Sequence, residues 1–294
     1  MRLENRVVLV TGPARNIGRA ITREAARRGA HLVLAGLEPD RLEHLRAELG
    51  GRTLAIEMDV TDERSVRDAF GRAAEAFGRV DVVVSNVGIM GSGAVEAVGA
   101  EFLERMLAVN LVGTYRVAHH AIPHLALTRG YLLSVCSTAA VAHSPLQSQY
   151  CASKAGVYAL VDSLRQEVAH HGVDVGVLCP NFVVAAPDEA RGTDELMQRL
   201  WGNPNSEGGQ GGTPVADVAR AAARMIERRE REAVAPRSMN FVLRVPRVVQ
   251  RLFERRFKPS QIEDAVDASI ALSREGRQVT TEIERRDPAT AAGA

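Results

Sequence analysis

Residues 6–36 read RVVLVTGPARNIGRAITREAARRGAHLVLAG, and the fold turns on them. The run 6–10 is apolar and β-branched, as a strand buried on both faces requires. Thr11-Gly12 then breaks the run. Apolar residues recur at helical spacing over 17–28 and stop at Gly29, and a second apolar run follows at 31–35. Strand, turn, helix and strand within about thirty residues make a βαβ unit, which demands parallel pairing.

Outward from this unit the alternation continues. The pattern predicts a helix at Pro39–Leu49, a strand at Thr53–Glu57, a helix at Glu63–Phe77 and a very apolar strand at 80–85. It then predicts a long helix over 100–127, a strand at Tyr131–Val135, a helix over 148–170 and a sixth strand at 174–178. With right-handed crossovers this is an α/β chain built on a doubly wound parallel sheet in a single domain. After Pro180 the pattern loosens. Residues 186–214, containing NPNSEGGQGG, read as a mobile loop, followed by a helix over 215–229 and a short strand at 233–235. The expected organisation is a nucleotide-binding catalytic domain over 1–236, a helical extension over 237–274 and a disordered tail over 275–294.

Composition narrows the function. A net charge of +1 and 4% aromatic residues offer neither a basic footprint nor stacking platforms for nucleic acid. The N-terminus lacks the apolar region of a secretory signal, and no uncharged apolar run reaches membrane-spanning length. Cys136, Cys151 and Cys179 have no metal-ligand spacing and read as ordinary thiols of a cytoplasmic protein.

Three groups of residues suggest chemistry. The first strand ends in Thr11-Gly12 and leads through Asn16-Ile17-Gly18 into a helix, a turn suited to a pyrophosphate at a helix N-terminus. The second group is Asn110, in the helical stretch MLAVNLVG. The third is Ser137, Tyr150 and Lys154. Tyr150 and Lys154 are four residues apart on a predicted helix and share its face. Among 37 Lys and Arg residues the only lysines are Lys154 and Lys258. A compact ammonium can lower the pKa of a neighbouring phenol, whereas a planar guanidinium has the wrong geometry for this and holds its proton too tightly.

Together these motifs resemble the short-chain dehydrogenase/reductase family over about residues 4–235. The glycine loop is similar to that family's TGxxxGxG, with Asn16 at its middle glycine; Asn tolerates left-handed backbone geometry. Ser85-Asn86-Val87-Gly88 resembles its NNAG, Asp59-Val60 its adenine-contacting pair, and Pro180–Val183 its PGxVxT, with Asn181 for Gly and Ala185 for Thr.

The resemblance implies a Rossmann-like fold and hydride exchange with NAD(P)(H) that interconverts a carbonyl and a secondary alcohol on an apolar small molecule. It assigns Tyr150 as acid/base, Ser137 as the group holding the substrate oxygen, Lys154 as modulator of Tyr150, and Asn110 as holder of a water. It places the dinucleotide on Gly12, Arg15, Asn16, Ile17, Gly18, Gly36, Asp59, Val60, Asn86, Gly88, Tyr150, Lys154, Pro180 and Val183. Gly36 stands where a ribose-binding acid is expected, and Arg15 where a 2′-phosphate would be met. Glu38 argues the other way. NADP(H) is therefore favoured over NAD(H). The competing reading is a nucleotide-binding regulatory protein of the same fold with little turnover.

Other features carry less weight. His120 and His124 have metal-compatible spacing without a third ligand, so no metal is expected. Trp201 is either a lid over substrate or a packing residue. The segment 238–258 is basic and amphipathic, interrupted at Pro246. Its apolar face is expected to pack on its own domain or on a twin subunit, with membrane-surface contact the less favoured alternative. A homodimer built on the helices around 100–127 and 148–170 is expected, the extension obstructing a tetramer surface.

Overall fold

Every strand predicted from an apolar run is found in one sheet. The structure is a computed structural model and describes residues 1–184, 195–201, 212–277 and 279–280. Up to the sixth sheet strand the chain runs β1 (Val7–Thr11), α1 (Asn16–Arg27), β2 (His31–Gly36), α2 (Pro39–Leu49), β3 (Thr53–Glu57), α3 (Glu63–Phe77), β4 (Val82–Ser85), β5 (Gly91–Ser92), α4 (Ala100–Leu107), α5 (Gly113–Thr128), β6 (Tyr131–Val135), α6 (Ser148–Glu167) and β7 (Asp174–Pro180). Then follow β8 (Val183–Val184), α7 (Glu195–Trp201), β9 (Thr213–Pro214), α8 (Val215–Arg228), β10 (Glu232–Ala235), α9 (Phe241–Arg244), α10 (Pro246–Glu254), α11 (Pro259–Arg274) and β11 (Val279–Thr280).

Seven strands form the parallel sheet in the order β3-β2-β1-β4-β6-β7-β10. The chain winds outward from β1 in one direction, then returns past it to β4 and winds in the other. The order reverses between β1 and β4, and ligands of such sheets bind beyond the strand carboxyl ends at that point. Both faces are covered, which is why the central strands read as unbroken apolar runs: all four residues of β4 are buried. One core unites alternate strand residues such as Leu9, Val33 and Val83 with α3, α5 and α6. The other joins Val8, Val10, Leu32 and Val84 to α1, α2 and α8. Each fully buried Val or Leu contributes about 1.5–3 kcal/mol of transfer free energy. Tyr131 is fully buried at the start of β6, and its hydroxyl donates to the Glu230 carbonyl at 2.6 Å.

The predicted long helix over 100–127 is not uniform. Between α4 and α5 the residues Ala108–Val112 form one π-helical turn, and Asn110 sits inside it. Such widened turns reorient a side chain without ending the helix.

The extension folds back on the domain. Two of its side chains clamp loop backbones. Gln250 accepts from the His143 amide at 2.7 Å and donates to the His143 carbonyl at 3.3 Å. Ser269 on α11 accepts from the Ala94 amide at 2.9 Å. A small third core joins Leu146 and α7 to Phe257, Ala265 and Leu272. The disordered tail expected from residue 275 contains an ordered piece, because β11 pairs antiparallel with β5. Most of the predicted loop 186–214, and Ala185, lie outside the described residues. No helix among the described residues is long and apolar enough to cross a membrane.

Candidate active site

The glycine turn is built by close approach. Gly12 has φ 62° and Asn16 has φ 43°, so the left-handed geometry for which Asn is suited is the one it adopts. A Cβ on Gly18 would lie 2.0 Å from the Gly12 carbonyl oxygen and 2.6 Å from Asn86 Nδ2, so only glycine fits there. Asn86 Nδ2 donates to the carbonyls of Thr11 and Gly12 at 3.0 and 3.1 Å. Thr11 Oγ1 accepts from the amides of Asn86 and Val87 at 2.9 and 3.1 Å. The β1 and β4 turns are thereby locked together across the switch point. The twelve-residue helix α1 begins here with no side-chain cap and no acid in its first turn. Its leading amides and positive dipole end suit a phosphate group, so this end of the fold fits a dinucleotide.

Gly36 closes β2 next to Pro13 and Gly12, and its carbonyl accepts from the Met58 amide. Asp59 follows β3, with Oδ1 accepting from the amide and hydroxyl of Thr61, and Val60 is buried beside it. Arg15 is committed to Glu38: its Nε lies 2.9 Å from both carboxylate oxygens, and Arg41 meets the same carboxylate at 3.1 Å. The cation that sequence reasoning reserved for a 2′-phosphate already has an internal anion. Glu38 opposes a 2′-phosphate by its charge, but its direct pairing with Arg15, 23 positions away, leaves no local sequence pattern.

Ser137, Tyr150 and Lys154 converge past the ends of β4 and β6. Ser137 Oγ caps a short 3-10 turn by accepting from the Ala139 amide at 3.1 Å, and its hydroxyl hydrogen-bonds the Tyr150 phenol. Lys154 is 5% exposed, with Nζ 3.4 Å from the Val135 carbonyl and 5.8 Å from the centroid of the Tyr150 ring. The bare Cα of Gly88 lets both Lys154 Nζ and Asn110 Oδ1 approach, each 3.2 Å from where a Cβ would stand. Asn110 itself is fully buried. Its Oδ1 accepts from the Ile89 amide at 2.8 Å, while Nδ2 donates to the Ile89 carbonyl and to Ser153 Oγ, both at 2.9 Å. Ser153 Oγ in turn donates to the Tyr150 carbonyl at 2.8 Å. Ser153 was not singled out from sequence, since a serine inside a helix carries no motif signal. It joins the π turn to the helix that bears Tyr150.

The electrostatics depart from expectation. Burial pushes the Tyr150 phenol well above its ordinary range, with the Ser137 hydrogen bond offsetting part of this and the neighbouring cysteine thiols adding to it. Burial also lowers the Lys154 ammonium, with Cys136 and Cys179 opposing. Burial thus draws both groups toward their neutral forms. The Asn110 side chain is held by Ile89 and Ser153, which ties the π turn to α6.

Pro180 ends β7 and Val183 opens β8, which pairs with β9. Asn181, at the family's glycine position, donates its amide to the Ala235 carbonyl, and its Oδ1 accepts from Thr138 Oγ1 at 3.1 Å. Beside the site, Gly93, Ala94, Val95, Pro145 and Leu146 face Ile262 and Val266 of α11 across a largely apolar cavity of about 460 Å³.

The features set aside find structural places. His124 stacks on Phe70 at 5.7 Å, while His120 pairs with Glu63. Glu63, His119 and His120 do bring ligand atoms within 4.8 Å of one another, on the exposed surface. Trp201 packs between Phe253 and Phe257 at 5.3 and 4.9 Å, as a satellite core contact. Cys136, Cys151 and Cys179 are all buried free thiols.

Comparison with known proteins gives a coherent set. The model of the short chain dehydrogenase family matches residues 6–195. A 3-oxoacyl-(acyl-carrier-protein) reductase of Thermotoga maritima is 30% identical over 202 residues, 66% of this chain and 82% of the relative. Among solved structures, 3-ketoacyl-(acyl-carrier-protein) reductase from Brucella melitensis complexed with NADH superposes with a TM-score of 0.69 at 26% identity, over 81% of this chain and 100% of that one. An alcohol dehydrogenase from Thermococcus sibiricus, complexed with 5-hydroxy-NADP, gives 0.67 at 28% identity over 79% and 96%.

Proposed function

Because this chain belongs to the short chain dehydrogenase family, and is an oxidoreductase of that family, we propose that it interconverts a carbonyl and a secondary alcohol on an apolar small molecule, with Tyr150 as acid/base. The observation that carries this reading is the convergence of Ser137, Tyr150 and Lys154 next to an uncapped helix N-terminus at the sheet's switch point. The glycine turn, Gly36, Asp59-Val60, Asn86, Gly88, Pro180 and Val183 would hold a nicotinamide dinucleotide, which would supply or accept the hydride.

The protein's residues do the rest. In the reductive direction Tyr150, kept neutral by burial, gives its proton to the carbonyl oxygen as charge develops there, and Ser137 donates a hydrogen bond to the same oxygen. Lys154 then stabilises the phenolate through their shared helix face. Asn110 and Ser153 fix α6 against the π turn, so that these atoms keep their spacing. The cavity walled by Ala94, Val95, Pro145, Leu146, Ile262 and Val266 supports an apolar substrate, and it involves the extension in substrate selection.

NADP(H) remains the favoured dinucleotide. Two guanidiniums, Arg15 and Arg41, meet at the Glu38 carboxylate, and a 2′-phosphate would be met by the same two cations in place of Glu38. We further take residues 1–236 as the catalytic domain, 237–274 as the extension, and the functional unit as a cytoplasmic homodimer. Exposed Val112, Tyr115 and Leu127 on or beside α5 support an interface there. Incubating the protein with each reduced dinucleotide and a panel of apolar ketones, and following absorbance of the reduced nicotinamide, tests the reading. Substrate-dependent oxidation supports it; no turnover with any ketone or alcohol of the panel counts against it.

A further inference from the structure

The extension sorts its side chains onto two sides. Val242 is buried, and Leu243, Val249 and Phe253 are half-buried toward the domain. Phe241, Val245, Val248 and Leu252 face outward and are 55%, 44%, 56% and 62% exposed. Val248 and Leu252, four residues apart on α10, share one face of that helix, while Phe241 begins α9 and Val245 sits at the break between the two helices. Four of the ten large apolar side chains exposed among the described residues thus fall within twelve positions.

Cations border this row. Arg244, Arg247, Arg251 and Arg255 are exposed along it, with Arg237, Arg256 and Lys258 at its ends. On α10, Arg247 and Arg251 each precede an exposed apolar residue by one position. The segment 237–258 carries these seven cations against Glu254 alone, in a chain whose net charge is +1. Among the described residues none of the seven is in a salt bridge, although many arginines elsewhere are paired. Arg256 lies over the Trp201 ring instead.

Two occupants compete for such a face. A second copy bound symmetrically would set one cationic rim against another with no acids to meet it. Stable protein interfaces also engage about 20–30 residues a side, more than this row and its rim provide. An anionic lipid surface meets both halves of the pattern: phosphates for the arginines, and the headgroup–acyl boundary for the apolar row. We propose that the outer face of α9 and α10 docks the protein on anionic membrane surfaces, lying in the interface plane. The inner side of α10 holds the His143 backbone through Gln250, between Ser137 and Tyr150 in sequence, so docking brings the apolar cavity close to the lipid. The docking itself does not depend on the catalytic assignment.

Cosedimentation of the full chain with extruded vesicles tests this. Vesicles of phosphatidylcholine mixed with phosphatidylglycerol should bind about tenfold or more tighter than phosphatidylcholine alone, and added salt should weaken the binding. The double variants Val248→Ser/Leu252→Ser and Arg247→Gln/Arg251→Gln should each lose about tenfold in binding. Their melting temperature and dinucleotide affinity should not change, because all four side chains are exposed. No binding to the mixed vesicles, equal binding to both kinds, or full binding by either double variant overturns the proposal. So does a light-scattering mass that halves in the Val248→Ser/Leu252→Ser variant, which would assign the face to a second copy.

Discussion

The Arg15–Glu38 pair makes dinucleotide preference a matter of two opposing substitutions. Arg15 is 28% exposed at the side chain and Glu38 13%, so their contact is partly shielded from water. A hydrogen bond to a charged group contributes about 1.5–3 kcal/mol, and partial exposure places this site at the low end. Arg15→Ala should therefore weaken NADPH binding about tenfold and leave NADH binding within about twofold, at 1.4 kcal/mol per factor of ten. Glu38→Gln should act in the opposite sense, because it releases Arg15 and Arg41 from their only shared carboxylate among the described residues. NADPH affinity should rise several-fold, with NADH affinity unchanged or lower. Fluorescence titration of each reduced dinucleotide against the two variants gives all four ratios. Equal losses for both dinucleotides in Arg15→Ala would mean that the guanidinium only shapes the loop, and a fall in NADPH affinity in Glu38→Gln would refute the displacement argument.

Lys154→Arg should lose at least about 100-fold in turnover despite keeping its charge, read as kcat at saturating dinucleotide, because the planar fork does not fit against Gly88 and the Val135 carbonyl. Tyr131, Tyr150 and Tyr158 all have phenols raised above their ordinary range by burial. A raised folded-state pKa contributes stability that is present below the unfolded value near 10 and lost as pH rises beyond it, so thermal melts should show a falling midpoint above about pH 10, and less of one in Tyr131→Phe. Light scattering of the full chain should return a dimer; a tetramer would contradict the role given to the extension.

Much of this architecture was legible because a parallel sheet covered on both faces leaves no polar alternation to misread. Strands β1, β2, β3, β4 and β6 come directly from apolar runs, and glycine at 12 and 18 marks a turn whose close contacts admit nothing larger. The interruption at Ala108–Val112 was invisible, because a π turn costs one widened hydrogen-bond ring and leaves no breaker residue. The pairing of Arg15 with Glu38 joins residues 23 positions apart through the fold of the β1 and β2 ends, and no local pattern announces it. The raised Tyr150 phenol is likewise a sum over burial. The sequence placed a lysine beside it but could not show how far both groups are withdrawn from water. Ser153 became visible only through the two hydrogen bonds that link Asn110 to the Tyr150 carbonyl.

The central claim is that Tyr150 moves the proton while the rest of the site holds the reactants. The direct test is stopped-flow oxidation of the reduced dinucleotide by a reactive apolar ketone, comparing the wild-type chain with Tyr150→Phe at matched dinucleotide occupancy. Phenylalanine keeps the ring and removes only the hydroxyl that bonds Ser137. General acid–base catalysis contributes about 10²–10⁴-fold, so the single-turnover rate should fall by at least about 100-fold with dinucleotide affinity nearly unchanged. A variant that keeps more than about a tenth of the wild-type rate would contradict the assignment.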